Sequence, residues 1–511
     1  MADNSKNKGH GRRRFLKSMG AAAALGLVGC GGGASDQSGS AGSASSGGGG
    51  GSGLPSKAEG VEAWGTRINE YAEQAGIDWQ QFDGTALTFG MNVHPYTKVI
   101  EPLLPHFEEL TGISVTFNTF PEDQLWQKLT LDLSSEAGVY DGYMAGLWPS
   151  ARYHNAGWAR NMTTLIDDSG VTDKDWLSME DYPDGPIDAL TYQGELVSMP
   201  LGIEAYGCIG YDKPTFDDLG LSEPTTFEEL LNAAKTIHES DKTDRAGICS
   251  RASSTTLSSA NWATMFKTYG AEWIDRANRK ALLNSDAGIA SLEMFSDLMG
   301  NYGPGDIGTY DWYKSNQAFG NGQTGMVYHT PSAVGPFTEK QYQRTEWIPP
   351  LPGPNGEDPV ASTWVWSLAI SAFSQNPGAA WLFVQWATSR PALLLMNTKQ
   401  WEGQPTYGPA RSNWLFEQDE YQEKGLKASW QNAHKKGIAA VPSNPPPVPI
   451  DTPQNMDIMS QSAIAMNSAV TQTKDAKPAL DEAATEISEI VKDIPDAYLA
   501  SGRASRSVVA G

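Results

Sequence analysis

Between residues 85 and 150 the apolar positions change period several times, from unbroken or alternating runs to a helical stripe and back. Ala86–Met91 reads as a buried strand, and Ile100–Leu110 as a helix stopped by Thr111-Gly112. Ile113–Phe117 alternates as a second strand, and Asp123–Ser135 places Leu125, Leu129 and Leu133 on one helical face. Tyr140–Leu147 is a third strand, and Val61–Ala75 an amphipathic helix ahead of the first. Strands separated by helices predict α/β architecture with a mostly parallel sheet covered on both faces.

The alternation continues downstream. Strands are expected at Leu196–Pro200, Ala205–Tyr211, Ala246–Cys249, Thr324–Tyr328 and Ser367–Ile370. Helices are expected at Thr226–Glu239, Ala287–Met299, Pro377–Ser389 and Ala479–Val491. Thr226 with Glu229 three residues on has the spacing of a capping box. Consecutive prolines forbid a helix in Pro442–Pro453, which reads as an extended surface segment.

The first 53 residues stand apart. Arg12-Arg13-Arg14-Phe15-Leu16-Lys17 precedes a short apolar run ending in Leu27-Val28-Gly29-Cys30. This pattern resembles a twin-arginine export signal over 1–29 closed by a lipobox, with Cys30 as the lipidated residue. The run falls well short of the ~20 apolar residues that span a bilayer. Gly31–Gly53 is mostly Gly, Ser and Ala, a flexible tether that buries too little to fold. The whole chain carries −23; residues 1–29 contribute +5, which leaves −28 after them. Such an acidic surface repels phosphate backbones and argues against nucleic acid as a partner. Cys208 and Cys249 are either two separate buried thiols or a disulfide.

Enzymatic signatures are absent: no Gly-Lys dipeptide, no His-Glu-x-x-His, no Cys-x-x-Cys, no Gly-x-Ser-x-Gly. Three Gly-x-Gly-x-x-Gly matches, starting at Gly48, Gly303 and Gly320, lack the strand-then-helix setting of a dinucleotide site. Acid pairs such as Asp167-Asp168 read as turn and cap residues, not as metal ligands. No cofactor or metal is expected.

Several blocks, in order, resemble the family 1 extracellular solute-binding proteins, the sugar-capturing components of ABC importers. They include Phe107–Val115, Tyr140–Leu147 followed by Asn155-Ala-Gly-Trp158, Tyr192–Pro200, Pro224–Leu230, Gly322–Val327, Ala379–Phe383 and Pro409-Ala-Arg411. The resemblance implies a two-lobed periplasmic-binding-protein-like fold with a ligand cleft between the lobes. After the helical extension at 54–84, lobe 1 would comprise 85–200 and 346–398, and lobe 2 would comprise 201–345 and 399–505. It implies a monomer anchored to the outer face of the membrane, which hands a carbohydrate (sugar, oligosaccharide or polyol) to permease subunits.

A sugar presents hydroxyls at its rim and C–H groups on its faces, so its site needs polar side chains and aromatic planes. Carried over from the family, Asn92 and His94 follow the first strand, and Trp148 follows the third as a stacking platform. Glu204 and Tyr206 stand where the chain crosses between lobes. Asn261 and Trp262 open a helix bordering the cleft. Ser332 occupies a position where some relatives carry a stacking Trp. Trp364 and Trp366 precede the strand Ser367–Ile370, with Trp364 as the platform, and Arg411 bonds a hydroxyl or carboxylate. Glu204 also stands out without the resemblance, because an acid inside an apolar strand is costly unless something meets it. Most of the 17 Trp must serve packing. Two other readings stay open. One is a secreted glycoside hydrolase, which needs a second carboxylate ~5 Å or ~6.5–9.5 Å from the first. The other is a binding protein used for sensing.

Overall fold

The computed structural model describes residues 54–499 apart from 335–336, 403, 405 and 443–447. The expected export signal, the tether and the lipidated Cys30 lie outside the described residues, as does the stretch 500–505 assigned to lobe 2.

Nine strands build two principal sheets. They are β1 (Ala86–Asn92), β2 (Ser114–Phe120), β3 (Gly142–Gly146), β4 (Met199–Ala205), β5 (Cys208–Asp212), β6 (Ala246–Cys249), β7 (Thr324–His329), β8 (Thr345–Ile348) and β9 (Thr363–Ile370). The first sheet has the order β2-β1-β3-β9-β4, the second β8-β5-β7-β6. The two-lobed α/β class is as the sequence predicts, but the strand directions differ in part. β1 pairs parallel with β2 and β3, whereas β9 runs antiparallel to both β3 and β4. In the second sheet only β6 and β7 are parallel. Both sheets are therefore mixed. The reason is that strands returning from the other lobe enter from the opposite end, which a local β-α-β reading does not see.

The same crossings move the lobe boundaries. β4 belongs to the first sheet as far as Ala205, so the change of lobe falls at Tyr206-Gly207 and not after residue 200. β8 belongs to the second sheet as far as Ile348, so the return lies after that strand and not at 346. The expected strand Ala205–Tyr211 is in fact this crossing. Gly207 sits at φ +91°, a conformation that costs a side-chain-bearing residue about 1–2 kcal/mol. A Cβ there would also lie 2.3 Å from Thr264 Cγ2.

Helices cover the sheets where the stripes predict. The extension forms α1 (Lys57–Ala72), opened by a Ser56–Glu59 capping box and burying Trp64, Ile68 and Ala72. Each such large apolar side chain is worth ~1.5–3 kcal/mol. Asn69 accepts a hydrogen bond at 2.9 Å from Trp386 Nε1, tying α1 to the later Trp- and Phe-rich helix. Next come α2 (Pro95–Ile100), α3 (Leu104–Thr111), α4 (Glu122–Ser134) and α5 (Leu147–Asn155). α3 ends at Gly112, whose φ of 70° supplies the left-handed stop. In α6 (Phe227–His238) Thr226 caps the Glu229 N–H, while the Glu229 carboxylate reaches Thr225 instead of closing the box on Thr226. α7 spans Ser259–Thr268 and α8 Trp312–Gly320.

Two departures are instructive. Residues 448–453 are bends and turns, with Val448 and Ile450 fully buried, so this part of the proline-rich stretch is neither extended nor superficial. Apolar side chains between the prolines draw it inward, and Tyr192 bonds the Ile450 carbonyl at 3.3 Å. Helix α9 (Asn455–Val470) was not anticipated, because its Ala, Ser and Met residues give a weak stripe. Cys208 and Cys249 are separate buried thiols. Burial pushes the Cys249 thiol up to about 12, so neither nucleophilic nor metal chemistry is expected of it.

Gly207→Ala should lower stability by about 1–3 kcal/mol, read as a lower urea midpoint at unchanged slope. Gly194→Ala, also at positive φ but with open space around the new methyl, should lose only the ~1–2 kcal/mol backbone cost.

Candidate functional site

A cavity of about 350 Å³ lies between the lobes. One wall comes from the ends of β1, β4 and β9 and the start of α2 and α4; the other comes from the segment after β6 and the start of α8. Asn92, His94, Glu204, Tyr206 and Trp364 of the expected set line it.

The antiparallel register explains the first wall. Trp364 pairs with Glu204 across β9 and β4, and Trp366 with Gly202, so the two tryptophans share one face at period two. Both lie within β9, which begins four residues earlier than the sequence predicts. Their rings meet at 74° with centroids 5.3 Å apart, and Trp126 stacks on Trp366 at 5.8 Å. Glycines make the room. A Cβ on Gly146 would lie 2.3 Å from the Trp364 ring, and one on Gly202 would lie 2.5 Å from the Tyr407 ring.

His94 caps α2, its Nδ1 accepting from the Tyr96 N–H at 3.2 Å. That bond assigns the proton to Nε2, which makes the imidazole a neutral donor. Burial, helped by Lys98, lowers its pKa to about 3. The ring meets Tyr407 edge-on at 4.4 Å.

Glu204 is 2 % exposed. Its Oε1 accepts the Tyr407 hydroxyl, while Oε2 has no hydrogen-bond partner among the described residues. Burial pushes its carboxyl above the ordinary value, opposed by the charge of Arg251 and by the Tyr407 and Tyr206 hydroxyls. Arg251 lies 5.4 Å over the Tyr206 ring and gives one N–H to the Leu257 carbonyl at 3.0 Å. Asp311 caps α8 and thereby presents Trp312 and Tyr313 to the cavity. Asn92 Oδ1, Glu204 Oε2, Arg251 Nε and Trp312 Nε1 are all buried without a partner among the described residues. All four residues line the cavity, so its surroundings hold two acceptors and two donors left unpartnered among the described residues, inside an aromatic frame.

Five expected site residues lie off the wall and do structural work. Trp148 is buried in α5, donates to the Thr363 carbonyl at 3.3 Å and packs against Trp364, so it supports the platform from behind. Asn261 donates to Ser250 and to the Tyr328 carbonyl. Trp262 is core, bonded to Ser291 and packed on Phe266 and Trp273. Ser332 packs against Gly408. Arg411 is 1 % exposed and pairs with Asp181 at 2.9 Å, which also holds Arg390. A buried guanidinium needs a partner, and this one already has it.

The sequence reading missed Lys98, Glu122, Arg251, Trp312, Tyr313 and Tyr407. Glu122 is the second carboxylate at the cavity. Only Arg251, two residues past the strand Ala246–Cys249, carried a readable signal, since residues beyond strand ends line clefts in open α/β folds.

A crevice between two α/β lobes, lined by aromatic rings and polar side chains, has the form of a site for a small solute. The family described as bacterial extracellular solute-binding protein matches residues 93–393, and the chain belongs to it. It is a binding protein and not an enzyme. It is 28 % identical over 342 residues to an erythritol/L-threitol-binding protein of Mycolicibacterium smegmatis, covering 62 % of this chain and 69 % of that one. A mannitol-binding protein of Pseudomonas aeruginosa is 25 % identical over 298 residues, covering 56 % of this chain and 64 %, just under two thirds, of its own length. Two solved ABC transporter solute-binding proteins share the fold, each with a TM-score of 0.68. That of Agrobacterium radiobacter, with ribitol, is 21 % identical and covers 80 % of this chain and 99 % of its own. That of Agrobacterium vitis, with D-mannitol, is 24 % identical and covers 81 % and 100 %.

Two outcomes follow from these side chains. Arg411→Met should lower stability by about 1–3 kcal/mol in urea titrations, because the buried Ser178 and Thr388 carbonyls lose their donor while Asp181 keeps Arg390, without changing the affinity of the folded protein for its solute. The folded-state pKa of His94 lies below its unfolded value, so its contribution is complete above pH ~6.5 and is lost as pH falls toward 3. His94→Asn keeps a capping acceptor and should flatten the fall in stability between pH 6 and 4 by about 1.4 kcal/mol per pH unit.

Proposed function

We propose that this protein captures a small, neutral, polyhydroxylated solute, and that an acyclic polyol fits the cavity best. The observation that carries this reading is the set of four groups, buried and without a partner among the described residues, on the two walls of the cavity: Asn92 Oδ1 and Glu204 Oε2 on the aromatic wall, Arg251 Nε and Trp312 Nε1 on the other. A hydroxyl both donates and accepts, so a chain of vicinal hydroxyls satisfies all four, while its C–H edges lie on Trp364 and Trp366. The volume, about 350 Å³, is at the small end of ligand pockets, which run about 300–1,000 Å³. This favours a polyol or monosaccharide over an oligosaccharide. The relatives named for erythritol, L-threitol and mannitol support the same class.

On this reading Asn92, His94, Glu204, Tyr206 and Trp364 hold the ligand, joined by Arg251 and Trp312, with Tyr407 bonded to Glu204 behind them. Closure of the lobes would bring Arg251 and Trp312 onto a ligand resting on β4 and β9, a hinge motion of the kind periplasmic binding proteins use. The closed form would then deliver the solute to the permease of an ABC importer. The lipobox supports attachment through Cys30 to the outer face of the membrane, with the Gly/Ser stretch as tether, and the chain would act as a monomer.

A thermal-shift and calorimetry panel of erythritol, ribitol, D-mannitol, D-glucose and maltose tests this. At a hundredfold excess over Kd the bound solute adds about 2.7 kcal/mol to native stability, a clear rise in melting temperature. At least one polyol should give that rise and maltose should not. Glu204→Gln and Trp364→Ala should each abolish it while the unliganded proteins stay folded. Binding of maltose alone, or unchanged affinity in both variants, would remove the assignment.

A further inference from the structure

Tyr407 has a place at the cavity that packing alone does not explain. It is 4 % exposed and lies in the irregular segment before Arg411, held by its backbone N–H on the Met396 carbonyl at 3.1 Å. Its ring fills the space that Gly202 leaves on β4 and meets the edge of His94. Its hydroxyl reaches Glu204 two residues further along the same strand and donates to Oε1. Glu204 Oε2 has no hydrogen-bond partner among the described residues, on the wall that faces Arg251.

The geometry points to Tyr407 as a positioning residue: by holding Oε1 of Glu204 it fixes the carboxylate as an ionised acceptor, so that Oε2 accepts a hydrogen bond from a hydroxyl of the ligand. This rests on the capture of a polyol and specifies its chemistry, since the ligand must present a free hydroxyl, and not an ether oxygen, at Oε2. Without Tyr407 a buried carboxylate with one less donor takes up a proton and becomes part donor, which no longer discriminates. Other charged or titratable groups around it are Arg251, Tyr206, Glu122, Lys98 and His94. They are common to the proteins compared below, and His94 stays neutral down to about 3.

The first test needs no ligand. In protein labelled with ¹³C at Glu carboxyls, the Glu204 signal is the one missing from Glu204→Gln. Its titration midpoint should rise by about one pH unit, a tenfold change in proton affinity, in Tyr407→Phe. That variant keeps the ring on Gly202 and against His94, and melting curves verify its fold. Protein carrying 3-fluorotyrosine, a stronger donor, should move the midpoint down. A purely structural Tyr407 changes melting temperature with no movement of the midpoint, and that result would overturn the proposal. The second test follows D-mannitol affinity against pH. Affinity should fall as Glu204 takes its proton, and the fall should begin at higher pH in Tyr407→Phe, with at least tenfold weaker binding there. Affinity that is flat through the Glu204 midpoint overturns the acceptor role. If no polyol binds the unaltered protein, the polyol reading fails, while the carboxyl titration still decides the role of Tyr407.

Discussion

Trp364 stands opposite Glu204 because β9 runs antiparallel to β4, and the cavity takes its chemistry from that pairing. The register puts an aromatic plane beside a carboxylate at the edge of one sheet, where the chain leaves for the other lobe. Burying the carboxylate disfavours its charge, and the structure offsets this with a Tyr407 hydroxyl from the same side and Arg251 from the far side. A slip of β9 by one residue would turn Trp364 and Trp366 to the face opposite Glu204. Gly146 and Gly202 are part of the same constraint, since a methyl at either would occupy space held by Trp364 or Tyr407.

The two walls differ in kind. β1, β4 and β9 present a rigid aromatic surface with two acceptors, Asn92 Oδ1 and Glu204 Oε2. The opposite lobe brings the donors, Arg251 Nε and Trp312 Nε1. A ligand that satisfies both sets must touch both lobes, which is how a solute-binding protein couples occupancy to its conformation. Imidazole, carboxylate and guanidinium are all present, yet none is arranged as a nucleophile with its base. The family to which the chain belongs is one of solute-binding proteins.

The residues that fell away from the site show where reading a chain in one dimension fails. Arg411, Asn261 and Trp262 are the same residue types as Arg251, Asn92 and Trp364. Arg411 and Trp262 are separated by having protein partners for their polar atoms, Asp181 and Ser291. Asn261, whose Nδ2 donates to Ser250 while its Oδ1 has no partner among the described residues, is separated by its place in the core away from the cavity. Asp181 is 230 positions from Arg411, Ser291 is 29 from Trp262 and Ser250 is 11 from Asn261, all beyond the reach of a local pattern. Trp148 failed differently, since the helical run from Leu147 turned it inward behind Trp364. Tyr407 left no trace at all in the sequence, because its neighbours are reached only through the packing of a segment two hundred residues away from Glu204.

Hydrophobic periodicity was enough to determine most strands and helices and the α/β class, while the two-lobed plan was implied by the resemblance of several short blocks, in order, to a known family. An acid in an apolar strand was enough to single out Glu204, because that cost is local and visible in one residue's surroundings. Strand direction, the crossings at Tyr206-Gly207 and after Ile348, and the partnering of each polar side chain were decided only by the tertiary structure. These depend on contacts between segments far apart in the chain, and a buried donor or acceptor is free for a ligand only when the rest of the fold has left it unpaired.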